Sequence, residues 1–174
     1  MNICLMGFMG CGKSTVGTAV ADKLGWKYID IDTLIEDEFQ MDIPSIFRDY
    51  GEAKFREAEL KVLEAVMLSE DAVISTGGGL PCNDKAINMI NNNCSSYYLY
   101  MSIEQLTLRL WNQELLSARP LLESINSQDD LSEFVKVKLI DRERYYYDSH
   151  GIIDANQELD IIVDDITQLV QPAS

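Results

Sequence analysis

The sequence predicts an α/β protein, a three-layer α/β/α fold with a central, mostly five-stranded parallel sheet. Three observations carry this. Short, nearly all-apolar runs recur at residues 2–6, 28–31, 72–75, 96–101 and 151–154. Segments with helical spacing of apolar residues separate them, and a glycine-rich turn follows the first run directly. Strands buried on both faces read as continuous apolar runs, whereas strands with one wet face alternate.

Residues 2–6 read as a buried first strand and not as a secretion leader, because no basic segment precedes them and they run straight into the glycine turn. Residues 13–24 follow as a helix, with Val16, Val20 and Leu24 on one face. The strand at 28–31 ends in acidic residues, and two or three helical pieces fill 33–69, interrupted at Gly51. The strand at 72–75 ends in Thr76 and three glycines. A helix at 84–91, a strand at 96–101 and a helix at 103–111 come next. A polar stretch at 113–128 precedes a long helix at 129–147, the strand at 151–154 and a closing amphipathic helix through Leu159, Ile162, Val163, Ile166 and Leu169. With no repeat, low-complexity tract or linker, residues 1–174 are expected to form one domain.

Composition narrows the function. A net charge of −15 leaves no basic surface for nucleic acid. No apolar run approaches the roughly 20 residues that cross a membrane. Cys4, Cys11, Cys82 and Cys94 form no CxxC pair and read as free thiols in a reducing compartment, so a cytoplasmic protein is expected. One histidine, His150, excludes a His-rich metal site and a histidine triad. A monomer is the default expectation.

Gly7-Phe8-Met9-Gly10-Cys11-Gly12-Lys13-Ser14 fits G-x-x-x-x-G-K-[ST] in full, between a strand and a helix. Such a phosphate loop turns successive N–H groups toward phosphate oxygens, aided by the helix N-terminus. Lys13 can reach the β- and γ-phosphates and the Ser14 hydroxyl can bind Mg²⁺. ATP or GTP is therefore expected, and the fold becomes one of the P-loop NTPase type. Asp30 and Asp32 end the second strand, where alternation would send both carboxylates to one side. One can hold Mg²⁺ through water while the other accepts hydrogen bonds from a substrate hydroxyl and assists its deprotonation. Alternatively, Asp32 caps a helix starting at Thr33 and Asp30 is solvated. Gly77, Gly78 and Gly79 let backbone approach a ligand closely. Only six arginines exist, so Arg56, Arg119 and Arg142, each near a motif, are candidates for a carboxylate- and phosphate-binding cluster.

The order of these motifs resembles the shikimate kinase family. It comprises G-x-M-G-x-G-K-S-T at residues 7–15, D-x-D at 30–32, F-R-x-x-E at 55–59, G-G-G at 77–79, R-P-L-L at 119–122 and R-x-x-x-Y at 142–146. The resemblance implies a Mg²⁺-dependent kinase that phosphorylates the 3-hydroxyl of shikimate with ATP. It places Gly10, Cys11, Gly12, Lys13, Ser14 and Thr15 on the nucleotide phosphates, with Arg109 near adenine and Asn156 completing the nucleotide set. Ser14 and Asp30 would serve the metal. Asp32 would bind shikimate hydroxyls and act as base, Arg56 and Arg142 would clamp its carboxylate, and Gly77, Gly78 and Gly79 would hold it through backbone. Glu59 would orient Arg56. Arg119 would close over the transferring phosphoryl group on a mobile lid at about 112–126, and a segment at about 32–60 would carry substrate contacts. Arg144 stands where the family has proline, and Arg142 keeps the family's spacing to Tyr146. Nucleoside monophosphate or gluconate-type kinases share the architecture, and a nucleotide-binding regulatory module needs only the phosphate loop. Neither needs the F-R-x-x-E and glycine-triplet combination.

Overall fold

A computed structural model describes residues 1–112, 122 and 125–170. Its five strands are β1 (Asn2–Met6), β2 (Lys27–Asp30), β3 (Ala72–Ser75), β4 (Ser95–Tyr100) and β5 (Gly151–Asp154). They form one all-parallel sheet in the order β2-β3-β1-β4-β5. The apolar run of β1 is explained by its place: it is the middle strand, and Ile3, Cys4, Leu5 and Met6 are fully buried.

The helices among the described residues are α1 (Lys13–Leu24), α2 (Ile31–Phe39), α3 (Ile43–Val66), α4 (Asp84–Asn93), α5 (Ile103–Leu110), α6 (Gln128–Tyr146) and α7 (Leu159–Val170). They cover both faces of the sheet. Side-chain caps start several of them: Asp42 accepts from Ser45 N–H at α3, Asn83 from Ala86 N–H at α4, and Ser102 from Gln105 N–H at α5. Gly51 breaks α3 with φ 80° and ψ 168°, as its interruption of the helical pattern predicted. Helix α1 lies against the sheet at Gly17, where a β-carbon would come within 2.5 Å of the Tyr28 ring.

Element order and type follow the expectation, and most boundaries move by one or two residues. The shift that matters is at β2. The strand ends at Asp30 and Ile31 already opens α2. Of the expected lid, only residues 112, 122, 125 and 126 are described, so most of it, Arg119 included, lies outside the described residues. Among the described residues no helix is long and apolar enough to cross a membrane.

Candidate active site

The loop from Gly7 to Gly12 joins the central strand to α1. Gly12 is the N-cap of α1 in the left-handed region, φ 95° and ψ 20°, and no side chain caps the helix. A residue with a β-carbon is strained there, and the first N–H groups of α1 stay open to an anion. Lys13 Nζ folds back over the loop, donating to the Gly7 carbonyl at 2.9 Å and the Phe8 carbonyl at 3.0 Å. The buried Cys11 donates its N–H to the Phe8 carbonyl at 3.2 Å, closing the turn. Arg109, in the last turn of α5, lies across the loop with Nη1 3.5 Å from the Gly10 carbonyl.

Asp30 and Asp32 come together for a reason other than the one the sequence suggested. Alternation along a strand does not apply, because Asp32 sits in the first turn of α2. Asp30 is the cap: its Oδ1 accepts from the N–H groups of Asp32 at 3.0 Å and Thr33 at 3.3 Å. The capping alternative is thus realised one motif residue earlier than expected. Asp30 Oδ2 accepts from the Ser14 hydroxyl at 3.2 Å and the Tyr28 hydroxyl at 3.0 Å. Asp32 is left facing a cavity of about 390 Å³ that also receives Lys13, Ser14, Arg56, Glu59, Arg142 and the glycine triplet. Its Oδ1 is the buried side-chain oxygen, among the described residues, with no hydrogen-bond partner.

The other walls are set by close packing. A β-carbon on Gly77 would lie 2.7 Å from Asp32 Oδ1, and one on Gly79 would lie 2.9 Å from both terminal nitrogens of Arg56. Side chains there would fill the space these groups face. Arg56 is held from below by Glu59, one turn along α3 and only 1% exposed, at 2.5 Å, and from the rim by Glu52 at 3.3 Å. Arg142 stacks over the Phe8 ring, 5.4 Å from its centroid. The buried Tyr146, one turn later, donates its hydroxyl to the Gly78 carbonyl and ties α6 to the triplet. Ile43, Pro44, Phe47 and Phe55 supply an apolar wall.

Burial dominates the electrostatics. It raises the Asp32 carboxyl to about 6, helped by the nearby charge of Asp30 and opposed by Lys13. It raises Glu59 to about 7 against the opposing pull of Arg56. Two carboxylates pushed upward beside two guanidiniums in one cleft make this a candidate functional site.

Most predicted residues therefore meet. Lys13, Ser14, Asp30, Asp32, Arg56, Gly10, the triplet and Arg142 line the cavity. Arg144 does not: it is exposed and stacks on the Tyr145 ring at 4.5 Å, which settles the arginine facing inward as Arg142. Thr15 is exposed outside the cavity. Asn156 is also exposed and away from it, its Oδ1 accepting from Ser102 N–H at 3.1 Å. Sequence reasoning missed Met9, Glu36 and the apolar wall in the cavity, and Tyr28 behind it. The two-residue spacing of Tyr28 from Asp30 on a strand was the available signal for the last.

The donor set fits magnesium. A hydroxyl and a carboxylate are hard oxygen ligands, and Mg²⁺ takes one or two protein oxygens beside phosphates in preference to a protein cage. Among the described residues no group of three or more His, Cys, Asp or Glu forms such a cage.

Comparison with known proteins shows the family. The family model described as shikimate kinase matches residues 9–171. A shikimate kinase of Azobacteroides pseudotrichonymphae is 40% identical over 145 residues, 83% of this chain and 84% of that one. The crystal structure of shikimate kinase from Bacteroides thetaiotaomicron superposes with a TM-score of 0.90 at 32% identity, covering 98% of each chain. That of Acinetobacter baumannii, in complex with shikimate, gives 0.84 at 32% identity, covering 97% of this chain and 92% of that one. With the match running over nearly the whole sequence, the chain belongs to the shikimate kinase family.

Proposed function

We propose that the chain transfers the γ-phosphoryl group of ATP to the 3-hydroxyl of shikimate, giving shikimate 3-phosphate and ADP, a step of chorismate and aromatic amino acid biosynthesis. One observation carries the reading. A single cavity brings the phosphate-loop lysine, an orphaned carboxylate oxygen and two inward arginines to one place. The acceptor must then be an anion bearing a hydroxyl, and its carbon skeleton must rest on the apolar wall.

Arg56 and Arg142 hold the acceptor's carboxylate, with Glu59 keeping Arg56 in place. Gly77, Gly78 and Gly79 leave room for the ring beside them. The unpartnered Oδ1 of Asp32 accepts the hydrogen of the reacting hydroxyl and takes its proton as the oxygen attacks phosphorus. With its carboxyl at about 6, Asp32 is ionised at neutral pH yet basic enough to help. Lys13 releases the Gly7 and Phe8 carbonyls and turns to the phosphates, whose remaining oxygens meet the open N–H groups of α1. Gly10, Cys11, Gly12, Ser14 and Thr15 form the phosphate cradle, with Arg109 and Asn156 toward the base. Ser14, with Asp30 in support, would hold magnesium, which would supply neutralisation of the charge developing on the phosphates. Arg119, outside the described residues, is assigned by family resemblance to the transferring group and to a lid that excludes water. Most of the rate then comes from positioning and charge, as loose phosphoryl transfer requires.

The chain is read as a cytoplasmic monomer of one domain acting on small molecules and not on nucleic acid, a setting in keeping with its four free cysteines. The test is ADP release from MgATP with shikimate, gluconate or AMP as acceptor. Turnover is expected with shikimate alone. Turnover with AMP or gluconate but not with shikimate would overturn the reading.

A further inference from the structure

Asp30 is held by more than its helix-capping duty requires. Oδ1 takes two backbone N–H groups of α2, while Oδ2 takes the hydroxyls of Ser14 and Tyr28. The carboxylate is thus fixed from the helix it caps, from the phosphate loop and from its own strand. Strand alternation puts Tyr28 and Asp30 on one side of β2, aimed at α1.

The Tyr28 ring has little freedom. A β-carbon on Gly17 would come within 2.5 Å of its Cε2 and 3.1 Å of its Cδ2, so the ring fills a slot against α1 that only glycine leaves open. The Ser14 and Ser75 hydroxyls face the same phenol. Ser75 Oγ in turn donates to the Lys13 carbonyl at 3.2 Å.

We propose that Tyr28 is a positioning residue of the phosphoryl-transfer site, its hydroxyl holding Asp30 Oδ2 at the Ser14 oxygen where magnesium is supported. This rests on the metal roles given above to Ser14 and Asp30. Without the phenol, Oδ2 loses its strand-side donor. The carboxylate can then turn about its side chain while Oδ1 still caps α2. Groups standing behind a metal's ligands act in this way, by fixing orientation rather than by touching the ion.

The test compares wild type with Tyr28→Phe, which keeps the ring in its slot and removes only the hydroxyl. Calorimetric titration of ADP is run in EDTA and across a Mg²⁺ series, beside thermal denaturation without ligand. The expected result is an unchanged melting temperature and unchanged ADP affinity in EDTA, with the half-saturating Mg²⁺ concentration raised about tenfold. In an Asp30→Asn background, adding Tyr28→Phe is expected to change nothing further. A Mg²⁺ dependence in Tyr28→Phe equal to that of wild type would overturn the proposal and leave the kinase reading intact. Lower melting temperature with weaker ADP binding in EDTA as well would assign Tyr28 to packing alone, which also overturns it. Wild-type ADP binding that ignores Mg²⁺ would instead remove the metal role of Asp30, and this proposal with it.

Discussion

At the nucleotide end of the cavity the protein supplies its own partners: Lys13 rests on two loop carbonyls and Ser14 on Asp30. At the acceptor end Asp32 Oδ1 is buried with no partner, and Asp32 and Glu59 are both pushed well above ordinary carboxylates by burial. The first end is built from the glycine loop, the N-terminus of α1 and the Lys13 and Ser14 side chains, features that would suit any nucleotide phosphate. The second is made of side chains held at a cost to stability, and under the proposed function it is where selectivity would reside. A buried acceptor oxygen left unpaired penalises any ligand that brings no hydroxyl to it.

The sharpest way to break this contrast is Asp32→Asn. Turnover is expected to fall by about 10²–10⁴-fold, the range for losing a positioned base. ADP affinity measured by calorimetry should stay near wild type, because Lys13 and Ser14 donate their hydrogen bonds to the Gly7 and Phe8 carbonyls and to Asp30, not to Asp32. An equal loss in ADP affinity would merge the two ends into one. Gly77→Ala comes next. Its β-carbon would stand 2.7 Å from Asp32 Oδ1, so we expect KM for shikimate to rise at least about tenfold, one 1.4 kcal/mol step. KM for ATP should change little, and steady-state kinetics with each substrate varied separates the two.

A third prediction concerns pH. The folded values of about 6 and about 7 lie above the ordinary 3.8 and 4.5 for these carboxyls. Between those limits the folded protein therefore binds more protons than the unfolded chain, and stability falls as pH rises through that window. The ligand-free protein should melt higher near pH 5 than near pH 7.5, by roughly 2–4 °C for each kcal/mol involved. Glu59→Gln should flatten that slope, and an unchanged slope would show that Glu59 carries no penalty. The smallest effect belongs to Arg144→Ala, at an exposed site outside the cavity. Its kcat/KM for shikimate should match wild type, in contrast to Arg142→Ala.

The fold was legible because parallel strands buried on both faces leave continuous apolar runs, and β1 and β3 are buried along their whole length. The phosphate loop was legible because its chemistry is local in sequence. The acceptor end was less so. Whether Asp30 or Asp32 caps α2 turns on where a strand stops, a matter of one residue that periodicity cannot resolve. The apolar wall of Ile43, Pro44, Phe47 and Phe55 depends on the Gly51 break, which lets one helical stretch present two differently directed faces. Arg142 and Arg144 differ only in the angle each leaves α6, so spacing to Tyr146 was the usable guide. Tyr28 was hidden because a tyrosine in a strand reads as core until the glycine facing it is known.

The most direct test of the whole account is phosphorus NMR of the protein incubated with MgATP and shikimate. One new phosphomonoester is expected, on the 3-hydroxyl, formed in step with ADP. Release of inorganic phosphate without ester, or an ester on another hydroxyl, would contradict the placement of Asp32 Oδ1 at the reacting oxygen.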